Sequence, residues 1–136
     1  MLTQLIYASR PFGFHGNTLD DILVSARRNN RRHGITGALV CRADLFLQML
    51  EGPREKITAI FGRILRDDRH VETALIWCGD AEARLFPAWD MLDNPPRSWM
   101  WSREEVHAGA RTTATAEQAW AIFARVAREG SEGSKE

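Results

Sequence analysis

Apolar and polar positions alternate with two different periods along the chain, and the two periods predict strands and helices in a definite order. Apolar runs or period-two alternation predict strands at Leu2–Ala8, Ile35–Cys41, Phe46–Pro53, Val71–Cys78 and Leu85–Met91. Stripes with helical spacing lie between them, at Leu19, Ile22, Leu23 and Ala26 and at Ile57, Ile60, Phe61, Ile64 and Leu65. The order predicts an α+β fold, a ferredoxin-like βαββαββ sheet with two crossover helices on one face.

Local signals place the ends of these elements. Thr18 with Asp21 has the spacing of a capping box and predicts the start of the first helix. Residues 42–44 predict a hairpin turn between the second and third strands. Pro53 predicts the start of the second helix, because proline is tolerated at the first helical position. Gly52-Pro53 also ends the preceding strand.

Beyond residue 93 the pattern changes to a third helical stripe. Asn94-Pro95-Pro96 breaks the chain, and an apolar cluster follows at Trp99, Met100 and Trp101. Thr115 with Gln118 predicts a last helix, whose stripe is Ala119, Ile122, Phe123, Val126 and Ala127. We expect C-terminal helices to cover the second face of the sheet. The predicted organisation is a core at 1–93, a helical extension at 94–129 and a disordered polar tail at 130–136.

Polar side chains interrupt the apolar faces at a few positions. Gln48 lies in the middle of a buried strand, and Asn29 and Asn30 continue the inward stripe of the first helix. A buried amide left unpaired costs about 1–3 kcal/mol. Ordinary explanations exist, since another protein group can meet Gln48 and asparagines can cap a helix that stops at His33-Gly34.

Tyr7 and Met91 are predicted to face the same layer as these amides. A phenol and three amides around one buried spot suit a flat ligand with alternating donors and acceptors along an edge. The imide edge of a flavin has this pattern, but the pattern alone does not select a flavin over another heterocycle.

Charge and composition exclude several classes of partner. The chain of 136 residues has 18 basic and 18 acidic side chains, so no net charge draws it to nucleic acid or to an anionic membrane. No apolar run approaches the ~20 residues of a transmembrane helix, and no secretory signal is visible. The sequence therefore predicts a cytoplasmic protein. Its cysteines and histidines are scattered, so no metal site is expected.

Five motifs in order resemble the BLUF domains, which are blue-light sensors using flavin. They are Leu5-Ile6-Tyr7-Ala8-Ser9, Ser25 through Asn29-Asn30 to Gly34-Ile35-Thr36-Gly37, Phe46 to Pro53, Asp67-Asp68-Arg69-His70, and Arg84-Leu85-Phe86 with Trp89-Asp90-Met91. The resemblance covers Leu2 to Met91. The hairpin turn differs modestly, with Ala43-Asp44 where the family often has a glycine.

The resemblance implies a role for particular residues. Tyr7 and Gln48 would be the photoactive pair, and Asn29 and Asn30 would hold the imide edge of the flavin. Four residues would lie near the ribityl-phosphate side, namely Arg63, Asp67, Arg69 and His70. Three others would shape the surroundings of Gln48, namely Ser9, Trp89 and Met91. FAD is the expected cofactor, with FMN or riboflavin as alternatives.

The resemblance further implies a photoreceptor without its own catalysis. Electron and proton transfer among Tyr7, Gln48 and the flavin would rearrange hydrogen bonds at the flavin carbonyl, with Gln48 either rotating or tautomerising. The sequence has no room for an output domain, so we expect a short stand-alone sensor that signals to a partner protein and forms a homo-oligomer. Two alternatives are a chromophore-free ferredoxin-like regulatory or metabolite-binding module and a small phosphate-cleaving enzyme using Arg10 and an asparagine.

Overall fold

The protein is built on one sheet with helices on both faces. Its structure is a computed structural model, which describes residues 2–11, 16–42, 44–67, 70–87, 91–94 and 100–133. The strands are β1 (Leu2–Pro11), β2 (Thr36–Arg42), β3 (Leu45–Pro53), β4 (His70–Ala81) and β5 (Leu92–Asn94). The helices are α1 (Gly16–His33), α2 (Arg54–Leu65), α3 (Arg103–His107), α4 (Ala110–Thr113) and α5 (Ala116–Gly133).

The strand order in the sheet is β4-β1-β3-β2-β5. β3 runs antiparallel to both β1 and β2, and β1 runs antiparallel to β4. β1 and β2 are therefore parallel and are connected by α1, while β3 and β4 are parallel and are connected by α2. This arrangement confirms the predicted ferredoxin-like fold.

The close pairing of β2 with β3 depends on a glycine. A Cβ atom added at Gly37 would lie 2.0 Å from the carbonyl oxygen of Met49, which is closer than real atoms approach. Any side chain at this position would force the two strands apart. Gly37 therefore helps to fix the register in which Leu39 lies beside Gln48.

Alternating side chains divide the sheet between two apolar cores. On one face Leu5, Tyr7 and Leu50 pack with Leu23 of α1 and Ile57 of α2. On the other face, strand residues pack with the stripe of α5, and the members of this second core include Ile6, Ala8, Met49, Ala119, Phe123 and Val126. The predicted cover of the second face by C-terminal helices is confirmed.

The fifth strand was predicted wrongly. Residues 82–87 form bends and turns, and β5 is a three-residue strand that begins only at Leu92 and runs parallel to β2. The physical reason is that the backbone N–H groups of Leu85 and Phe86 donate to the carboxylate of Glu51. These donors are therefore not available to a strand ladder.

The N-terminal boundary of the first helix also differs from its prediction. α1 begins at Gly16, so Thr18 lies inside the helix and not at its N-cap. Pro53 is the N-cap of α2 and not its first helical residue. Differences of one or two residues are usual at helix ends.

Leu65 was predicted to face the core. It is 55% exposed, because it is the last residue of α2.

The C-terminal region contains more helix than was predicted. Thr115 and Gln118 form the predicted reciprocal capping bonds, at 2.9 and 3.1 Å. α5 then continues to Gly133, so the disordered tail predicted from Gly130 is wrong over its first four residues. The short helices α3 and α4 had no clear stripe in the sequence.

No helix in the described part of the chain is long and apolar enough to cross a bilayer.

Candidate functional site

The central feature of the site is a contact between β1 and β3. Tyr7 and Gln48 are direct partners in the antiparallel register, so their side chains leave the sheet side by side on the face covered by α1 and α2. Tyr7 is 1% exposed and Gln48 is 4% exposed. The Tyr7 hydroxyl donates a hydrogen bond to Gln48 Oε1. The sequence predicted both residues at this place, and the structure brings them together.

Met91 completes a chain of three side chains. Gln48 Nε2 donates to Met91 Sδ at 3.4 Å, and Met91 is itself 1% exposed. The amide uses one donor and one acceptor in these two contacts, and by its chemistry it carries a second N–H and a second lone pair on the oxygen. The residue beside Gln48 in this structure is thus Met91. Trp89, the other predicted neighbour, lies outside the described residues.

The phenol of Tyr7 is held in its protonated form. Burial raises the pKa of Tyr7 well above 10, and the negative charges of Asp67 and Cys41 raise it further. The ring also packs against two phenylalanines, with centroids 6.1 Å from Phe46 and 5.7 Å from Phe61. Tyr7 therefore enters any photochemistry as a neutral hydrogen-bond donor.

The two asparagines reach the site from the end of α1. Asn30 is 2% exposed and Asn29 is half-buried. The helix end is closed by the backbone, because the N–H of Ile35 donates to the carbonyl oxygen of Asn30 at 2.9 Å and Gly34 adopts a left-handed φ of 69°. This closure accounts for the helix end without the amide groups. Both asparagines instead line a cleft beside Tyr7 and Gln48.

This cleft lies between the sheet and the two crossover helices and measures about 650 Å³, including the part that is open to solvent. Its walls are mostly apolar, with amides and charges at a few points. The lining residues are Tyr7, Ile22, Ser25, Ala26, Asn29, Asn30, Phe46, Gln48, Leu50, Ile60, Arg63, Ile64 and Asp67.

The remaining predicted residues fall into two groups. Arg63 and Asp67 line the same cleft, whereas the Arg69 residue and the His70 side chain lie outside the described part of the chain. Ser9 is fully buried on β1, opposite Phe46, and its Oγ has no hydrogen-bond partner among the described residues.

Sequence reasoning missed one residue that touches the site. Arg27 Nε donates to the backbone oxygen of Met91 at 3.3 Å. Arg27 sits among other arginines on α1, so its position in the sequence resembles an ordinary solvated helix face. Only the path of the chain around Met91 reveals the contact.

The donor set suits a flavin. A flat heterocycle needs apolar walls for its faces and mixed donors and acceptors for its edge. The cleft supplies the walls through Ile22, Ile60 and Ile64, and it supplies side-chain amides through Asn29, Asn30 and Gln48. Arg63 adds a positive charge that suits a phosphate.

Comparison with known proteins gives the same assignment. Residues 2–92 match the sequence model of the BLUF family, described as sensors of blue light using FAD. The blue light- and temperature-regulated antirepressor BluF of Escherichia coli (strain K12) is 34% identical over 87 residues, which are 63% of this chain and 22% of that protein. The photoactivated adenylate cyclase subunit beta of Euglena gracilis is 32% identical over 87 residues, 64% of this chain and 10% of that protein.

Solved structures extend the similarity to nearly the full chain. The dark-state structure of BlrB, a BLUF protein, superposes with a TM-score of 0.77 at 29% identity, covering 94% of this chain and 96% of BlrB. The photo-activated state of BlsA gives a TM-score of 0.75 at 26% identity, covering 92% and 93%. By contrast, the chain spans a quarter or less of the two curated relatives above.

Proposed function

The chain belongs to the BLUF family of blue-light sensors using FAD, and we propose that its flavin site is the cleft bounded by β1, β3, α1 and α2. One observation carries the proposal. The hydrogen-bonded row of Tyr7, Gln48 and Met91 borders the cleft that Asn29 and Asn30 also line. A chromophore-free module of the same fold would not require a phenol and three amides at one buried point.

The cleft residues would hold the flavin without a covalent bond. Asn29 and Asn30 would pair with the imide edge of the ring, and the apolar side chains of α1 and α2 would cover its faces. Arg63, together with Asp67 and the Arg69-His70 pair, would lie toward the ribityl and phosphate groups. FAD is the cofactor we propose. FMN would use the same ring contacts, and a related structure, BlrP1 of Klebsiella pneumoniae, contains FMN.

The photochemistry would begin at Tyr7. When bound, the flavin supplies blue-light absorption and an excited state that accepts an electron. Loss of an electron from the Tyr7 ring makes its hydroxyl strongly acidic, and the hydrogen bond to Gln48 Oε1 gives the departing proton a direct acceptor. The tyrosine recovers its electron and its proton in the return step, so it ends the cycle unchanged.

The lasting change would be at Gln48. Its amide can return rotated or as a tautomer, and both forms exchange donor and acceptor positions along the row. Rotation would break the contact of Nε2 with Met91 Sδ, because a carbonyl oxygen has no proton to donate to sulfur. The tautomer would keep one N–H on this nitrogen and would place a hydroxyl donor at Oε1. Light would thereby alter both the hydrogen bonds facing the flavin carbonyl and the packing of Met91.

The output would be a change of contact with another protein, with no catalysis by this chain. The relatives named above include an antirepressor and a cyclase subunit, so the same sensory fold serves different outputs. We propose that the present chain signals either to a separate protein or between copies of itself. The C-terminal helices on the second face of the sheet are the part most suited to report the change.

Two substitutions on α1 test the location of the cofactor. Ala26 lines the cleft, whereas Val24 is 56% exposed on another face of the helix. We expect Ala26→Phe to fill the cleft and to abolish flavin binding, and Val24→Phe, with the same new side chain, to bind flavin as the parent does. Flavin fluorescence quenching on titration of apo-protein measures both. Equal binding by both variants would place the flavin elsewhere.

A further inference from the structure

Helix α5 has an apolar groove along its outside, besides the stripe that packs on the sheet. The core stripe includes Ala119, Phe123 and Val126, which are buried. Because a helix turns by about 100° per residue, Ala121 and Ala124 lie on the side opposite to this stripe. The groove is open to solvent, with Ala121 exposed and Ala124 half-buried. On α5 it is lined by Glu117, Trp120, Ala121, Ala124, Ala127 and Arg128.

Trp120 is held at this groove with much of its ring in water. It is 39% exposed, and it is the one aromatic side chain among the large hydrophobic residues that are exposed in the described part of the chain. Its indole N–H donates to Gln4 Oε1 at 3.4 Å, which fixes one end of the ring to β1. Tryptophan is one of the residues that most often anchor protein interfaces, because it buries a large area with little loss of side-chain freedom. Trp120 therefore suits a docking surface better than a solvated one.

The two ends of the groove carry opposite charges. Glu117 lies in the first turn of α5 and Arg128 lies about three turns later, and both are exposed. Within the described ranges neither side chain forms a hydrogen bond or an ion pair, whereas their neighbours Arg125 and Glu129 pair with each other at 3.5 Å. An acid and a base are thus both available to a partner, at opposite ends of one apolar groove.

We propose that this groove is the interface of a homodimer, in which α5 packs antiparallel against α5 of a second copy. In that arrangement Glu117 of each copy faces the partner's Arg128, and Ala121 of each copy faces the partner's Ala124. The two pairs have the same midpoint, between residues 122 and 123, so one two-fold axis brings both pairs together. Small side chains at the crossing point allow the two helices to approach closely.

The arrangement of charges favours a second copy of the chain as the occupant of the groove. Antiparallel helices place each available acid against a base, whereas parallel helices would place Glu117 against the partner's Glu117. The chain has 18 basic and 18 acidic side chains, so no net charge drives two copies apart. Trp120 lies over the small side chains of the partner's Ala124 and Ala127 and is removed from water. The inference does not depend on a bound flavin, and it gives a location to the contact between copies that the proposed function leaves open.

Sedimentation velocity of the full chain in the dark, over a range of protein concentrations, tests the interface. We expect the parent to form dimers. Glu117→Arg replaces both ion pairs of the dimer by contacts between two arginines, so the dissociation constant of the dimer should rise by about tenfold or more. Glu55→Arg is the matched control, because Glu55 is also an exposed acid in the first turn of a helix, α2. It loses the same favourable interaction with a helix dipole and should dimerise as the parent does.

The reciprocal exchange separates the interface from an effect on folding. Glu117→Arg combined with Arg128→Glu restores opposite charges at both contacts, and we expect it to dimerise nearly as well as the parent. Far-ultraviolet circular dichroism checks that each variant keeps its helices. If the exchange variant does not fold, Ala121→Arg takes its place: the new side chain is too large for a close contact between helices and lies near the partner's Arg128, so it should separate the copies.

Three results contradict the inference. The first is a parent that stays monomeric at every concentration. The second is a dimer that Glu117→Arg or Ala121→Arg leaves intact, which would place the interface elsewhere, for example along the edge strand β4, where Leu75 is 53% exposed. The third is a folded exchange variant that stays monomeric, because the two charges would then not face each other.

Discussion

Tyr7 and Gln48 show how two adjacent strands create chemistry that neither strand has alone. The β1–β3 register makes the two residues partners, and the resulting hydrogen bond defines a route for a proton. The resemblance to the BLUF domains predicted this pair, whereas the buried position of Gln48 indicated only that its amide needs some partner. The sequence did not predict whether Trp89 or Met91 would lie beside the Gln48 amide, because both follow the same predicted strand. The structure places Met91 there.

The first prediction at this scale concerns the Tyr7 hydroxyl. Tyr7→Phe should bind flavin with little change in affinity, because the ring still packs against Phe46 and Phe61. It should show no red-shifted state, because the proton that Gln48 accepts is absent. Absorption spectra recorded before and after blue light measure this. A normal light-induced shift in the variant would remove Tyr7 from the mechanism.

The second prediction concerns the pKa of the same group. Tyr7 is the chain's one tyrosine, so phenolate absorbance reports it alone. Because burial raises its pKa, the folded apo-protein should show no phenolate as the pH rises through about 10, whereas the chain unfolded in denaturant should titrate near the ordinary value of about 10.

The sign of the accompanying stability change follows by linkage. Above about pH 10 the unfolded chain releases this proton more readily than the folded protein, so the contribution of Tyr7 to the free energy of unfolding falls as the pH rises. Below that pH the contribution is constant. Titration of the folded protein near the ordinary tyrosine pKa would show that Tyr7 is exposed to water.

At the scale of elements, α1 contributes the amides and is closed by its own backbone. Asn30→Ala should therefore weaken flavin binding by about 1–3 kcal/mol, the cost of leaving a buried polar partner unpaired. The helix end itself should persist in the variant, because the bond from Ile35 to the Asn30 carbonyl oxygen does not involve the side chain.

Titration of apo-protein with FAD measures the effect of Asn30→Ala. An unchanged dissociation constant together with a lowered thermal midpoint would assign Asn30 to the helix end and not to the ligand.

Strands and helices with strong local patterns were predictable, and the exceptions have a common cause. The apolar runs of β1 and β3 reflect burial on both faces of the sheet, and the helical stripe of α5 reflects burial on one face. The sequence records both patterns directly. The sequence from Leu85 to Met91 is also apolar, but the N–H groups of Leu85 and Phe86 donate to Glu51. Glu51 lies 34 residues before Leu85 in the chain. Contacts between distant residues, such as this one and that of Arg27 with Met91, leave no local pattern.

At the scale of the whole molecule, the sheet separates the face that carries Tyr7 and Gln48 from the face that α5 covers. Met91→Ala should keep the red shift, because Tyr7 and Gln48 remain, but it should lose much of the light-dependent change in exchange over residues 92–129. Removing a buried methionine also costs about 2–5 kcal/mol of stability. Met100→Ala is the matched control, since Met100 is buried at 6% exposure in the second core, which lies on the face of the sheet opposite Tyr7. Equal responses in the Met91 variant and the parent would show that the signal leaves by another route.

The central claim is that light rearranges hydrogen bonds around Gln48 beside a flavin. The most direct measurement is the light-minus-dark absorption spectrum of the flavin-loaded protein, with Gln48→Leu as the control. The parent should show a small red shift of the flavin band that reverses in the dark. Gln48→Leu should bind flavin and show no such shift, because no amide remains to change its donor and acceptor positions. A parent spectrum that does not respond to blue light, or an equal shift in Gln48→Leu, would contradict the account.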